Sequence, residues 1–338
     1  MGKYIIRRLL WLAVVLFVVS AITFIMMRLV PGGPFNTERG VPPGIIANLE
    51  KRYNLDAPLI EQYVDYIAGL AIPRITDSSF RRSISEDYLI NIPLPIFGEG
   101  VALRWMNFGP SLTRRSQTVS AIISDTLPVS MQLGFAALLL GLVIGVPLGI
   151  FAALRRNTWA DYMGMGVAIL GVSVPAIILG PILQYVLGVG LRWLPVSGWG
   201  SFAQVIMPAF ALGFAQSALI ARLTRASLLQ VLNEDYIRTA RAKGLHNRTV
   251  IIVHALKNAL IPVITVIGPL AAALLTGTFV VEIIFGIPGL GKFFVNSIIN
   301  RDYTIIMGTV LLYAWFLVVA NLIVDIVYAW IDPRIRYT

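Results

Sequence analysis

The chain has 338 residues, 57% apolar and 13% charged, with a mean hydropathy of +0.79, a net charge of +10 and no cysteine. Soluble domains carry about a quarter charged residues, so this is the composition of an integral membrane protein. The missing cysteine excludes disulfides, thiolate metal sites and a thiol nucleophile.

A spanning helix needs about 20 residues free of ionised side chains. Six such runs exist: between Arg8 and Arg28, Asp125 and Arg155, Asp161 and Arg192, Arg192 and Arg222, Lys257 and Glu282, and Asp302 and Asp325. A transmembrane barrel would instead show alternating segments of about 10 residues. The expected fold is therefore an all-α membrane protein of six transmembrane helices. Its expected parts are 1–30 (N-terminus and first span), 31–128 (external segment) and 129–338 (a five-helix core with a cytoplasmic hairpin at 232–261).

The first run has a basic start, but it exceeds the roughly 7 to 15 residues of a signal-peptide core and lacks an Ala-x-Ala-like site. It reads as a retained helix, stopped by Pro31-Gly32-Gly33-Pro34. Beyond it, Pro42 and Pro43 precede Ile45, Ile46, Leu49 and Tyr53 at helical spacing. Asp56-Ala57-Pro58 similarly precedes Tyr63, Tyr66, Ile67 and Leu70, so two short amphipathic helices are predicted. From Pro73 to Trp105 the pattern weakens into proline, glycine and mixed charge, which fits a loop, an added hairpin or a small binding surface.

In the second span Gly141, Gly145 and Gly149 share one face, the small-residue pattern that lets helix backbones approach. Pro175 and Pro181 interrupt the third span, and each removes a backbone hydrogen bond. Ser173, Gln184, Gln216 and Ser217 lie at comparable depths, which fits either a polar translocation path or interhelical hydrogen bonding. Glu282 and Asp325 border spans; embedded acids are functional candidates, while an interfacial or structural role is the simpler reading.

The segments outside the spans alternate in charge. Lys3, Arg7, Arg8, Arg155, Arg156, seven Lys/Arg from Arg222 to Lys257, and Arg334 and Arg336 fall on one side, against Arg192, Lys292 and Arg301 in the short opposite connections. This asymmetry places both termini in the cytoplasm and explains the basic composition by topology, with no nucleic-acid partner. The external segment carries nine Lys/Arg and ten Asp/Glu and is nearly neutral.

Between the fourth and fifth spans lies Asn233-Glu234-Asp235-Tyr236-Ile237-Arg238-Thr239-Ala240-Arg241-Ala242-Lys243-Gly244-Leu245. Asn233 suits an N-cap, Glu234 and Asp235 the positive helix end, Arg241 and Lys243 the negative end, and Gly244 a left-handed C-terminal position. Leu232, Tyr236, Ala240 and Gly244 fall four apart as a narrow stripe flanked by Arg238 and Arg241. A second helix is predicted from near Asn247 to Pro262, completing a hairpin that either lies on lipid headgroups or docks a cytoplasmic partner.

Arg238-Thr239-Ala240-Arg241-Ala242-Lys243-Gly244-Leu245, followed by His254-Ala255-Leu256-Lys257-Asn258-Ala259-Leu260-Ile261-Pro262, resembles the coupling-loop signature of ABC importer permeases in the dipeptide, oligopeptide and nickel branch. Tyr4-Ile5-Ile6-Arg7-Arg8-Leu9-Leu10, Leu55-Asp56-Ala57-Pro58-Leu59 with Gln62-Tyr63, Asn107-Phe108-Gly109-Pro110-Ser111 and Glu282 to Gly291 resemble the same branch. Arg238-Thr239-Ala240 stand where the wider family has Glu-Ala-Ala, and the segment from Pro73 to Trp105 is extra relative to compact members.

The resemblance implies the six-helix type I ABC importer fold in a prokaryotic inner membrane, with a long external segment between helices 1 and 2 and a coupling helix between helices 4 and 5. It implies a transport subunit, not an enzyme. A homologous second permease, two cytoplasmic ATPases and an extracellular or periplasmic solute-binding protein would be its partners, with lipid around it. ATP and magnesium would sit on the ATPases, with no cofactor in this chain. Glu234, Asp235, Tyr236, Arg238, Thr239, Ala240, Arg241, Ala242, Lys243, Gly244 and Leu245 would contact the ATPase; Ser173, Pro175, Gln184, Gln216, Ser217 and Glu282 are candidates for the translocation path. Di- or oligopeptides are the expected cargo, with nickel, glutathione or oligosaccharides, or ion-gradient-driven secondary transport, as alternatives.

Other patterns carry less. Gly286-Ile287-Pro288-Gly289-Leu290-Gly291-Lys292 begins like a phosphate-binding loop, but Phe293 occupies the position of the magnesium-binding Ser or Thr and no strand precedes it. It reads as a turn before a short helix. His246 and His254 have no third ligand in pattern, and the Asn247-Arg248-Thr249 sequon lies on the cytoplasmic side of the expected topology.

Overall fold

The computed structural model describes residues 2–35, 43–77, 88–97, 101–114 and 117–331. Among these, four helices are long and apolar enough to cross a membrane, Ile6–Leu29, Val119–Leu154, Phe202–Val231 and Tyr303–Val327. The total reaches six if two bent helix pairs each count as one span. The chain divides into two compact units, one of residues 1–8, 129–288 and 316–338, the other of residues 9–128 and 289–315. Helices α1 (Gly2–Leu29), α4 (Val119–Leu154) and α14 (Tyr303–Ile331) contribute to both.

The second unit begins with α1, which ends before Pro31-Gly32-Gly33-Pro34 as predicted, Gly32 taking a φ of +95°. The two short helices are α2 (Pro43–Arg52) and α3 (Leu59–Ala71). The weakly patterned stretch after them forms a three-stranded antiparallel sheet of β1 (Arg74–Asp77), β2 (Tyr88–Pro93) and β3 (Val101–Asn107), in the order β1-β3-β2. Ile75 and Ile92 both pair with Leu103, which fixes the register. Residues 78–87 and 98–100 of that stretch lie outside the described residues.

Phe24, Met27, Phe35, Leu112, Tyr303 and Met307 form the buried core of this unit. Asp302, fully buried, organises its polar interior. It accepts hydrogen bonds from Ser111 Oγ (2.5 Å), Thr113 Oγ1 (2.8 Å) and Thr113 N (3.1 Å), and also caps the start of α14 through Ile305 N (3.3 Å). The turn predicted after Gly286 leads into the short helix α13 (Gly291–Ile299).

The first unit is built on α4, α5 (Trp159–Ser173), α6 (Ala176–Leu183) with a π-helical extension Gln184–Gly190, and α7 (Phe202–Val231). A break at Ser173-Val174-Pro175 turns the chain by 101° between α5 and α6. Proline forces this: it disfavours the helical conformation of the residue before it, and Val174 is extended at φ −97°, ψ 108°.

The glycine face of α4 packs against α7 at backbone contact. A Cβ on Gly145 would lie 2.6 Å from the Ser217 carbonyl oxygen, and one on Gly149 would lie 2.5 Å from that of Ala221. Gly213 on α7 reciprocates, 2.5 Å by the same measure from the Ala137 carbonyl oxygen. Gly141 sits more loosely, 3.3 Å from Gln216 Cβ. Leu133, Ala137, Met207, Phe285 and Ile287 belong to the adjoining core.

After α7 come α8 (Asp235–Ala242), α9 (Asn247–Thr249), a π-helical turn Val250–Ala255, α10 (Leu256–Ala259) and α11 (Ile261–Leu275). The charge-free run that ends at Glu282 is not one helix. It breaks at 276–278 and resumes as α12 (Phe279–Ile284).

Candidate functional site

The hairpin that carries the coupling signature lies wholly within the first unit. Its helix α8 is only eight residues long, and helices that short are marginal on their own, so its stability must come from packing. Ile237 (0% exposed) and Ala240 (7%) supply that packing, joining a buried cluster with Ala153 of α4, Leu228 of α7, and Val250, Ala255 and Ala259 of the following segment. A further tie is Asn258 Nδ2 donating to Tyr236 Oη at 2.8 Å.

The predicted stripe is divided between two environments, and the cap expected of Asn233 is not made. The buried face is set by Ile237 and Ala240, three apart, while Tyr236 is 41% exposed and Gly244 is exposed. Asn233 does not cap the helix: Glu234 occupies the N-cap position with no side-chain bond, and Asn233 Nδ2 donates back to the Leu229 carbonyl at 2.9 Å. Gly244 does take the left-handed conformation, at φ +76°. Nothing lies within 4 Å of a Cβ built there, so the demand for glycine comes from the backbone angle, not from crowding.

With that underside fixed, the opposite face is open. Glu234, Asp235, Tyr236, Arg238, Thr239, Arg241, Ala242, Lys243, Gly244 and Leu245 are all exposed. Arg238 and Asp235 are 3.4 Å apart but largely solvated, so that pair contributes little to stability. The arrangement is an exposed face, acidic at its start and basic toward its end, carried on an apolar anchor.

The residues proposed for a polar path separate into different environments. Ser173 Oγ donates to the Ile169 carbonyl and buried Ser217 Oγ to the Phe214 carbonyl, each within its own helix. Pro175 makes the α5–α6 break, and Gln216 is partly buried beside Gly141. Gln184 Nε2 bridges the carbonyls of Val196 (2.9 Å) and Ile284 (2.8 Å), tying the π-helical extension to α12. Glu282, on that same helix, is 1% exposed; its Oε1 accepts from Ser130 Oγ (2.8 Å) and Thr278 N (3.1 Å). Of the roles expected for Glu282, these contacts carry the structural one: the side chain joins α4 to α12.

Sequence reasoning missed the pair Asp161–Arg225. Asp161 is 1% exposed and receives Arg225 Nε and Nη2 at 2.7 Å each, with Asn157 N at 3.0 Å. An acid in the first turn of α5 was visible, but its partner 64 positions later was not. Asp325 likewise pairs with Arg8 across the ends of α14 and α1.

Comparison with known proteins places this architecture. The family model described as "Binding-protein-dependent transport system inner membrane component" matches residues 145–337, and its N-terminal counterpart matches residues 1–82. The chain belongs to this family. This permease is 41% identical to the dipeptide transport system permease protein DppB of Bacillus subtilis, over 99% of this chain and 98% of that one. It is also 41% identical to the oligopeptide transport system permease protein OppB of Salmonella typhimurium, over the full length of both. Its fold is that of a type I ABC importer permease. An inward-facing structure of the MetNI methionine ABC transporter aligns with 62% of this chain and 96% of that one, at 19% identity and a TM-score of 0.52. The permease is thus a multi-pass membrane transport subunit.

Proposed function

We propose that this permease is one half of the transmembrane channel of an ATP-driven importer for di- or oligopeptides. The observation that carries the coupling part of the reading is α8: a short helix anchored by Ile237 and Ala240, with its polar face open. Its full-length similarity to peptide permeases supports the cargo. Two cytoplasmic ATPases holding ATP and magnesium dock on α8 and its equivalent in a homologous second permease. An external solute-binding protein delivers the peptide, and both chain termini lie in the cytoplasm.

The mechanism follows from the anchoring. Closure of the ATPases displaces α8, and α8 is packed into the ends of α4 and α7, so the helices move with it as a rigid body. The peptide enters from the binding protein while the path opens outward and leaves after hydrolysis. No bond in the cargo is made or broken.

Two measurements test this. Mild extraction of the tagged chain with mass spectrometry of its companions should recover two ATPase subunits and a second permease. Recovery of the chain alone, under conditions that preserve a known ABC complex, would refute the assembly. Replacing Gly244 with valine should lower uptake of a labelled tripeptide while the chain remains folded, because a β-branched residue at φ +76° is strained. Unchanged uptake would count against the coupling role of α8.

A further inference from the structure

Helix α3 (Leu59–Ala71) belongs to the segment between α1 and α4, yet its contacts with α1 reach the middle of a spanning helix. Tyr63 Oη lies 2.8 Å from Ser20 Oγ and donates to the Phe17 carbonyl at 3.3 Å. Its ring meets those of Phe24 and Phe17 edge-on, at centroid distances of 5.3 and 6.1 Å. The apolar span of α1 runs from Ile6 to Leu29, so Phe17 stands at its midpoint and Ser20 about 4 Å beyond, at about 1.5 Å per residue. Hydrocarbon extends about 15 Å to either side of that midpoint. A tyrosine side chain is shorter than the roughly 11 Å that remain beyond Ser20, so the backbone of α3 at Tyr63 lies below the headgroups.

A second contact fixes the rotation of α3. Gln62, 8% exposed, accepts from Arg28 Nη2 at the end of α1, while Tyr63 points back along α1 toward its middle. At about 100° per residue, Leu59, Ile60, Val64, Ile67 and Leu70 fall on the Tyr63 half of the helix, and Glu61 and Asp65 fall about 160° from Tyr63. The half that points toward the bilayer centre is therefore apolar, and the half that points away carries both acids. Much of that apolar half is uncovered by protein: Leu59, Ile60 and Val64 are 53%, 79% and 56% exposed.

Thirteen residues of helix measure about 20 Å, too short for a hydrocarbon layer of about 30 Å, so α3 is not a further span. At its other end Trp105 of β3 donates from Nε1 to the Ala71 carbonyl at 3.2 Å. Tryptophan favours the boundary between lipid and water, so this bond ties the sheet to α3 at a suitable depth.

We infer that α3 is an in-plane membrane helix, its exposed apolar half seated among phospholipid acyl chains of the leaflet at the Arg28 end of α1, with Glu61 and Asp65 facing water. On the proposed topology this is the outer leaflet, but the inference rests on the depth of the α1 contact and not on the cargo or the partners. Because the polar half is acidic, the attraction is to acyl chains and owes nothing to anionic headgroups.

The test places a nitroxide at one position at a time, through Ile60→Cys, Glu61→Cys, Val64→Cys or Asp65→Cys, in the permease with its accompanying subunits in phosphatidylcholine nanodiscs. The chain has no cysteine of its own, and the unsubstituted complex labelled in parallel gives the background from partners. Collisions with molecular oxygen, which concentrates in hydrocarbon, are compared with collisions with a water-soluble nickel chelate. The oxygen-to-nickel ratio should be several-fold higher at 60 and 64 than at 61 and 65. Val64→Cys against Asp65→Cys answers alone if Ile60→Cys fails to assemble, and the comparison can be read on the chain by itself if no partner copurifies. Equal nickel access at all four positions would make α3 a water-exposed helix and overturn the inference. Shielding of 60 and 64 from both reagents would overturn it too, by showing a protein partner on that face.

Discussion

Replacing Ile237 with alanine isolates the anchoring of α8 from its exposed face. The side chain is 0% exposed, and losing three buried carbons at about 0.8 kcal/mol each, with a cavity contribution added, costs about 3 kcal/mol. Because α8 has only Ile237 and Ala240 as buried residues, most of that cost falls on its docking, not on the bundle. The fraction of molecules with α8 undocked should rise roughly a hundred-fold, since about 1.4 kcal/mol is a factor of ten. Hydrogen exchange should show lost protection at the amides of 237–245 while α4 and α7 remain protected. Labelled-peptide uptake should fall, and Ile237→Val, at about 1 kcal/mol, should give an intermediate result. Full protection and full uptake in Ile237→Ala would refute the argument that this side chain seats the helix.

Other outcomes follow from the packing. Gly145→Leu should abolish recovery of folded protein, since its Cβ would fall 2.6 Å from a carbonyl oxygen; Gly166→Ala, with nothing within 4 Å, should leave yield and melting temperature unchanged or slightly raised. Asp302→Ala removes the acceptor for Ser111 and Thr113 and should destabilise the second unit by about 3 kcal/mol, read as faster proteolysis around residues 107–118. Asp161→Ala should cost about 2 kcal/mol, and the double variant with Arg225→Ala should be no worse than the single one, which a double-mutant cycle in thermal unfolding would measure.

Much of the fold was legible because its signals are local. Charge-free runs, the stop at Pro31-Gly32-Gly33-Pro34, the glycine spacing of α4 and the left-handed Gly244 each depend on residues close in sequence. What was not legible turns on competition between partners, some distant along the chain and some local. Whether Tyr236 or Ile237 faces inward is decided by Leu228, Val250 and Ala259, which no helical-spacing argument for α8 alone includes. Asn233 is a good capping residue, yet an available carbonyl on the preceding turn takes its side chain instead. In 74–107 an added hairpin was only one of the readings open, because β1 pairs with β3 and not with the next strand along the chain, and the exposed isoleucines give no clean alternation.

The seam between α4 and α7 has a consequence for how such a permease can change over time. At Gly145, Gly149 and Gly213 the nearest atom to an added Cβ is a backbone carbonyl oxygen of the facing helix, which no change of side-chain rotamer can move aside. Those positions therefore have almost no mutational latitude, and neither helix can slide past the other by small increments. New cargo preferences must arise on surfaces away from the seam, leaving the axis along which force travels unaltered while its fittings diversify.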